Sequence, residues 1–369
     1  MARWNEERNE DASAKRLVSD ALGGISDRLS EYPDDYRERL AAAKNVYIGD
    51  TERDAPVREA FRDLVDNALS QVNGAAPGPG EYLTLTGASG AGKSRLVARM
   101  LEKTDALAPI ELENRTLRPI IKFGAPQPFT SGQAAIAILR AIGLETDTKM
   151  ESNYAWQLVQ NHLPRSKTSL IIVDDAQHAL RHTKAEDVMT IRDAFKAITQ
   201  YDPWPVSFFF VGIPVFKRFV CTDNQFMRRN TFVEIPRLFA HRDEALVREL
   251  VSAKLEAARL RKGFEDTEEF YARVIYAGGL EFGRCEKLVQ LAIRDALRNG
   301  SRSLDVTHLA DALRKATLVA DDRNTFLTTL EAAQVIPQWV EESDEDFIAE
   351  DDILKATIKP RDNRKPRKP

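Results

Sequence analysis

The stretch YLTLTGASGAGKS, residues 82–94, decides the fold. YLTLTG is typical of a buried strand, and GASGAGKS (87–94) fits the phosphate-loop pattern G-x-x-x-x-G-K-[ST]. The glycines allow backbone N–H groups to turn toward phosphate oxygens, and the start of the following helix adds partial positive charge. Because the motif follows a predicted strand and opens a predicted helix, the sequence predicts a nucleotide-binding loop.

The chemistry of this loop indicates its cofactors. We expect Lys93 to reach the β- and γ-phosphates and the Ser94 hydroxyl to bind Mg²⁺, so the expected cofactors are ATP and Mg²⁺. The expected nucleotide-binding residues are Gly87, Ala88, Ser89, Gly90, Ala91, Gly92, Lys93, Ser94 and Arg95.

A carboxylate is also needed close to the metal, at the end of a neighbouring strand. SLIIVDD (169–175) is an apolar strand that ends in two aspartates, and it follows the phosphate loop by about 80 residues. Asp174 is therefore the predicted Mg²⁺ ligand. For Asp175 the residues alone leave three roles open: activating water, holding a structural hydrogen bond, or none.

Strands and helices alternate after the phosphate loop. Near-continuous apolar strands separated by helices predict a parallel sheet with helices on both faces, here of five strands. From residue 241 onward only helical patterns remain, which predicts a small all-α lid. The expected divisions are an N-terminal helical extension (1–45), an α/β nucleotide-binding subdomain (46–240), the lid (241–320) and a mostly disordered tail (321–369).

Composition and charge limit where the chain could bind nucleic acid. A net charge of −4 gives no general sign of nucleic-acid binding, so any DNA surface must be local. Residues 341–352 hold eight acids and no base, and residues 353–369 hold seven bases and one acid. That tail is open to three interpretations: a basic DNA-binding arm, a docking peptide for a partner protein, or a solubilising end.

Apolar runs, the N-terminus and the cysteines indicate where the protein is located. No apolar run approaches the ~20 residues that span a bilayer, and the charged N-terminus is not typical of a secretory signal. Two cysteines without metal-ligand spacing suit a reducing compartment. We therefore expect a cytoplasmic protein with no membrane partner.

The order of these motifs, with an arginine pair and a Gly–Arg motif further on, resembles that of the AAA+ ATPases. GASGAGKS, IIVDDAQH and the leading segment YIGDTERDAPVREAFRDLVD (47–66) are similar to the bacterial transposition ATPases, the TniB, TnsC and MuB group. The resemblance covers about residues 40–320. It implies an AAA+ domain followed by its helical lid.

The resemblance also implies roles for individual residues. Asp175 stands where the family usually has a glutamate that polarises the attacking water. Arg228 or Arg229, in QFMRRNTF, would be the arginine finger that reaches the γ-phosphate of a neighbouring subunit. Arg284, in GGLEFGRCEKL, would be the sensor 2 arginine of the lid.

Two departures from the family pattern predict slow hydrolysis. Asp175 is one methylene shorter than glutamate. The predicted fourth strand of the sheet ends in Gly212, Ile213 and Pro214, so it offers no polar side chain as sensor 1.

The resemblance implies ATP-dependent assembly into a ring or helical filament around double-stranded DNA, with contacts mainly to phosphates and little reading of sequence. In such assemblies the loop after the second strand of the sheet faces the DNA, here KFGAPQPFTSGQ (122–133). The candidate DNA contacts are Lys122, Thr130, Ser131, Lys149 and Lys184.

The leading functional hypothesis is a transposition regulator. It would assemble with ATP on target DNA, recruit a transposase and a target-selection protein, and disassemble on ATP hydrolysis. One alternative is a replication initiator or helicase loader of the Cdc6/Orc group, although residues 320–369 are short and charged for the winged-helix reader usual there. A second alternative is a signalling protein that binds nucleotide without hydrolysing it.

Overall fold

The computed structural model describes residues 32–33, 35–70, 78–104, 107–181, 184–329, 331–332, 339 and 346–358. Most of the expected N-terminal extension and the basic end of the tail lie outside these residues. Among the described residues, no helix is both long and apolar enough to cross a membrane.

The strands, in chain order, are β1 Tyr82–Thr86, β2 Ile110–Leu112, β3 Arg115–Leu117, β4 Ile120–Gly124, β5 Leu170–Asp174, β6 Ser207–Gly212, β7 Asn230–Glu234, β8 Arg261–Gly263 and β9 Ser303–Asp305. The helices are α1 Tyr36–Asn45, α2 Ala55–Ser70, α3 Lys93–Glu102, α4 Ser131–Ala141, α5 Ser152–Ser166, α6 Ala185–Thr199, α7 Lys217–Cys221, α8 Asn224–Arg228, α9 Glu244–Ala257, α10 Glu268–Ala277, α11 Phe282–Arg298, α12 Val306–Thr317 and α13 Glu350–Ile358.

The central sheet has five parallel strands in the order β4-β5-β6-β1-β7. Successive residues on its strands supply opposite faces: Phe208 and Phe210 pack into one hydrophobic core, and Phe209 packs into another. Helices α4, α5 and α6 contribute to the first core, while α2 and α3 contribute to the second. This arrangement confirms the predicted α/β fold with helices on both faces.

Parallel pairing aligns the carboxyl ends of the strands at one edge. Thr86 lies in register with Gly212, and Gly124 lies in register with Asp174. The segments that follow β1, β5 and β6 therefore meet at this edge, where ligands bind open α/β sheets.

The lid is a third core built from α9 to α12. Helix α1 belongs to it, because Tyr36 and Ala43 are buried there and Lys254 of α9 donates a hydrogen bond to the Ala43 carbonyl (2.8 Å). The lid is not helical throughout, since β8 and β9 form a short parallel pair. Sequence patterns did not predict these three-residue strands.

One packed helix lies within the tail that the sequence predicts to be mostly disordered. Helix α13 packs against α6, and Ile353 and Phe347 are buried in the core of the large subdomain. The Ile348 amide donates to the Leu180 carbonyl at 3.0 Å. The tail is thus fixed to the sheet subdomain over residues 346–358.

Candidate nucleotide-binding site

The phosphate loop connects β1 to α3 at the carboxyl edge of the sheet. Gly90 (φ +85°) and Gly92 (φ +98°) adopt left-handed backbone conformations that residues with side chains rarely occupy. A Cβ on Gly90 would lie 2.5 Å from Cγ of Arg284, so the lid approaches the loop closely there. The loop conformation and this approach both explain why glycine is needed.

Lys93 and Ser94 open α3 directly after the loop. The Lys93 ammonium is buried and donates to the carbonyls of Gly87 (2.8 Å) and Ala88 (2.9 Å). The Ser94 hydroxyl donates to Oδ1 of Asp174 at 2.9 Å. The predicted lysine, hydroxyl and carboxylate are therefore together in space.

Asp174, at the end of β5, is surrounded by donors. Its Oδ1 accepts from Ser94 and from the Asp175 amide (3.1 Å). Its Oδ2 lies 3.0 Å from the ammonium of Lys122. Mg²⁺ prefers oxygen ligands and usually takes only one or two carboxylates from a protein, so Asp174 and Ser94 are suitable ligands.

Lys122 was expected to contact DNA, but the structure pairs it with Asp174. It lies on β4, next to β5, so its side chain reaches the carboxyl edge of the neighbouring strand. A DNA phosphate would have to compete with this carboxylate for the ammonium, and the DNA contact of Lys122 stays a prediction. The sequence could not indicate this, because the pairing joins residues 52 positions apart.

Asp175 follows β5 in a left-handed backbone conformation (φ +54°). Its side chain is exposed at the same edge as the phosphate loop. Its Oδ1 accepts a hydrogen bond from Nε2 of Gln177 at 3.4 Å. A carboxylate held at this place suits the orientation of a water molecule, which remains a prediction.

Arg284 is buried at the start of α11, directly over the phosphate loop. A Cβ on Gly283 would lie only 2.6 Å from the Gly90 carbonyl oxygen, so α11 packs against the loop backbone. The Arg284 guanidinium also lies 5.4 Å from the ring centroid of Trp339, a tail residue. The lid arginine is therefore adjacent to the phosphate site, as its expected role requires.

Glu281 is a site residue that sequence reasoning did not identify. It is fully buried beside the lid arginine, and Nε of Arg237 lies 3.2 Å from its Oε1. Burial raises the pKa of Glu281, while the positive charges of Arg237, Arg284, Arg53 and Lys93 oppose that shift. Glu281 thus partly balances the positive charges of these four residues.

A pocket adjoins the phosphate loop between α3, the lid and the segment that precedes α2. Tyr47 lies against it, with the guanidinium of Arg95 5.5 Å from its ring centroid. Burial, with the nearby charge of Asp54, raises the pKa of Tyr47 to about 12. The pocket is lined by Tyr47, Ile48, Thr51, Arg53, Asp54, Ala91, Gly92, Arg95, Leu96, Ile235, Leu246, Phe282 and Glu286.

The arginine pair lies at the opposite end of the sheet. The Arg229 carbonyl accepts from the amide of Tyr82, which begins β1, whereas the phosphate loop follows the end of β1. The Arg228 side chain is exposed. Neither arginine is near the phosphate loop of its own chain, so a catalytic role requires a second subunit, as predicted for an arginine finger.

The remaining DNA candidates differ in accessibility. The Ser131 hydroxyl accepts from the Trp156 indole at 2.9 Å, and the Thr130 hydroxyl caps α4 through the Gln133 amide at 3.3 Å. Thr130, Lys149 and Lys184 are exposed, whereas Ser131 is half-buried.

A phosphate loop, a strand-end carboxylate and a lid arginine that meet at one edge of a five-stranded parallel sheet define a P-loop protein with the AAA+ fold. Residues 79–219 match the family model described as AAA domain. Comparison with curated proteins gave no match.

Solved structures agree with this assignment of the fold. The chain is similar to the Aeropyrum pernix ORC1 protein in complex with DNA (18% identity, TM-score 0.54, 78% of this chain and 70% of that chain). It is similar to the ORC2 protein of the same organism in ADPNP-ADP complexes (17%, 0.53, 76% and 72%). It also resembles Cdc6p from Pyrobaculum aerophilum (12%, 0.52, 78% and 72%). These comparisons support the AAA+ part of the predicted resemblance, while the transposition subgroup stays a prediction.

Proposed function

We propose that the protein is a Mg²⁺-dependent ATPase. The observation that carries this proposal is the contact of Ser94 with Asp174 beside Lys93, with Asp175 at the same edge. Ser94 and Asp174 would hold the metal, which when bound neutralises charge on the β- and γ-phosphates. Lys93 would exchange the carbonyls of the loop for phosphate oxygens. Asp175 would orient the attacking water.

Hydrolysis on this proposal requires a second copy of the chain. Arg228 and Arg229 are too far from their own phosphate loop to act there, but an exposed arginine can stabilise transition-state charge in a neighbour. ATP-dependent self-association into a ring or filament therefore follows from the same proposal. Slow turnover is expected, because the short side chain of Asp175 has limited reach.

We further propose that the assembly forms on double-stranded DNA and regulates transposition. The segments GASGAGKS and IIVDDAQH, which resemble those of transposition ATPases, support this function. ATP binding would assemble subunits on target DNA and recruit a transposase and a target-selection protein, and hydrolysis would release them. The free cysteines Cys221 and Cys285 suit the reducing cytoplasm that we propose as its location.

A replication initiator or helicase loader is the second candidate. The fold resembles that of the ORC1 and ORC2 proteins, and the ORC1 structure is a complex with DNA. Both functions use an AAA+ ATPase on DNA, and they differ in the partner that is recruited. A pull-down with a DDE-type transposase and with a replicative helicase, each with ATP and DNA, separates them by which protein is retained.

Sedimentation tests the shared part of these proposals. Protein is mixed with duplex DNA and with ATP, a non-hydrolysable ATP analogue or no nucleotide. We expect large DNA-bound assemblies only with the nucleotides, and the most stable ones with the analogue. Lys93→Ala is the matched control and should remain unassembled. A wild-type protein that stays monomeric and unbound in every mixture contradicts the proposal.

Phosphate release separates an ATPase from a protein that binds nucleotide as a structural cofactor. We expect slow turnover that DNA stimulates, and its loss in Asp175→Asn with retained ATP binding. Absence of turnover at all DNA concentrations would favour the non-hydrolysing alternative. Wild-type turnover in Asp175→Asn would exclude Asp175 as the group that orients water.

A further inference from the structure

The end of β6 lacks the polar side chain that would complete the site. Its last residue is Gly212, followed by Ile213 and Pro214. A neighbouring side chain occupies this place: Gln177, on the 3₁₀ turn Ala176–Leu180 after β5, is 4% exposed and points to the end of β6.

The two ends of the Gln177 amide contact different groups. Oε1 accepts from the Ile213 amide at 3.4 Å, and Nε2 donates to Oδ1 of Asp175 at 3.4 Å. A primary amide both accepts and donates, so one side chain can serve both partners. The opposite orientation would direct an NH₂ group at an N–H and an oxygen at a carboxylate, so the contacts fix the assignment.

Gly212 makes this arrangement possible. A Cβ at position 212 would lie 3.0 Å from Oε1 of Gln177 and 3.5 Å from the backbone nitrogen of Gln177. Such a contact is too close for the amide to keep its place without a shift. The missing side chain at the end of β6 and the buried glutamine after β5 are therefore two parts of one arrangement.

We propose that Gln177 is a positioning residue that fixes the Asp175 carboxylate relative to the end of β6, and so supplies the polar group that β6 itself lacks. This inference rests on the proposed ATPase function. The Asp175 side chain is short and exposed, so the orientation of its carboxylate depends on the groups that hydrogen-bond to it. Gln177 donates to Oδ1 of Asp175 and accepts from the backbone amide of Ile213, directly after β6.

Two substitutions at position 177 distinguish the donor of the side-chain amide from its acceptor. Gln177→Glu keeps an acceptor for the Ile213 amide but, when ionised, loses the donor to Asp175 and adds a like charge. Gln177→Met keeps the length and loses both contacts. Gln157→Glu, at an exposed position on α5, is the matched control for the charge change.

The expected results follow from a role in positioning. Both Gln177 variants should lower kcat by about tenfold or more, because small displacements of a reacting group cost that much. KM and the dissociation constant for ATP should stay within about twofold, since neither contact is made to the phosphate loop. Gly212→Ala, which keeps the glutamine and displaces its amide, should lower kcat by a smaller factor.

Amide hydrogen exchange of the nucleotide-free protein is a second readout that needs no turnover. Exchange at the Ile213 amide should accelerate in Gln177→Met, which removes its acceptor, and should change little in Gln177→Glu. Thermal unfolding of each variant identifies any general loss of the fold.

The possible failures are distinguishable. If wild-type protein does not hydrolyse ATP, the proposed function fails and this inference fails with it. If the wild type is active and Gln177→Met retains kcat within about twofold, only the inference is overturned. A parallel loss of kcat, ATP affinity and thermal stability in both Gln177 variants would reduce Gln177 to a structural residue.

Discussion

Glu286 connects the lid to the phosphate-loop helix, and its removal gives a quantitative test of that connection. It lies on α11 and forms ion pairs with Arg95 of α3 and with Lys254 of α9, whose ammonium is 3.1 Å from Oε1. Lys254 is 1% exposed, so its charge depends on this carboxylate. Glu286→Gln keeps the shape and removes the negative charge.

The expected cost follows from burial. Removing one partner of a buried ion pair costs about 3–5 kcal/mol, because it leaves an uncompensated charge. The Arg95 side chain is 33% exposed and screened by water. Loss of its ion pair with Glu286 should therefore cost only about 1 kcal/mol or less, as for a surface pair. Lys254 keeps two acceptors, the Ala43 carbonyl (2.8 Å) and Oε1 of Gln290 (3.1 Å). We therefore expect a loss of about 3 kcal/mol, the low end of the range.

The pH dependence of this loss has a definite sign. Burial lowers the pKa of Lys254, and Glu286 opposes that shift, so Glu286→Gln should lower the pKa further. Below the folded-state pKa the full penalty of a buried ammonium is present. As pH rises through the folded-state pKa, the folded protein releases a proton that the unfolded chain keeps, so stability increases with pH. The deficit of the variant should therefore shrink as pH rises toward the ordinary lysine pKa of 10.5.

Urea unfolding, followed by fluorescence, measures this deficit against a control. Glu249→Gln changes the same charge at an exposed position of α9 and should stay within about 0.5 kcal/mol of wild type. A Glu286→Gln variant as stable as Glu249→Gln would refute the reasoning. A deficit that grows with pH would refute the assignment to Lys254.

Three further predictions concern the nucleotide site. Lys93→Ala should weaken ATP binding by about a hundredfold or more, measured by titration with a fluorescent ATP analogue. Arg228→Ala or Arg229→Ala should keep ATP affinity and lose about 10³ in turnover. Mixing the affected variant with Asp175→Asn, which keeps ATP binding and loses turnover, should restore part of the activity if the arginine acts on a neighbour. Trp339→Ala removes the ring beside Arg284 and should weaken ATP binding about two- to fivefold, measured by calorimetry; unchanged affinity would exclude a role for this contact.

Local pattern predicts the central sheet well because its strands are buried on both faces. The run Phe208–Phe210 supplies both cores, so every position is apolar and the strand is visible in the sequence. The phosphate loop is visible for a different reason. Its backbone needs glycine at particular positions, and its chemistry needs Lys93 and Ser94 directly afterward.

Two elements that sequence reasoning missed, the β8–β9 pair and the tail helix, are fixed by distant contacts. Strands β8 and β9 have three residues each and pair across about 40 residues of chain, which no local period can reveal. The tail helix is strongly charged, and its composition favours disorder. Its stability comes from Ile353 and Phe347, which enter a core made by other parts of the chain.

In the candidate site, too, local sequence pattern predicts some residues, while others depend on contacts between distant parts of the chain. Sequence order identifies Asp174 from its place after an apolar strand. It does not identify Glu281 or Gln177, since their roles depend on burial beside groups from other elements. An isolated glutamic acid before a helix, or a glutamine after two aspartates, has no pattern that distinguishes it from a solvent-exposed residue.

The pairing of Lys122 with Asp174 also limits how the proposed assembly can bind DNA. While Asp174 holds no metal, a DNA phosphate would have to compete for Lys122 with this intramolecular carboxylate 3.0 Å away, which is present at a far higher effective concentration. Among the candidate DNA contacts, Lys149 and Lys184 are the exposed cations. Two phosphate contacts per subunit release about two counterions, which gives weak binding for a monomer. The contacts add along an assembly, so DNA affinity should depend steeply on the ATP-driven self-association that brings many subunits onto one duplex.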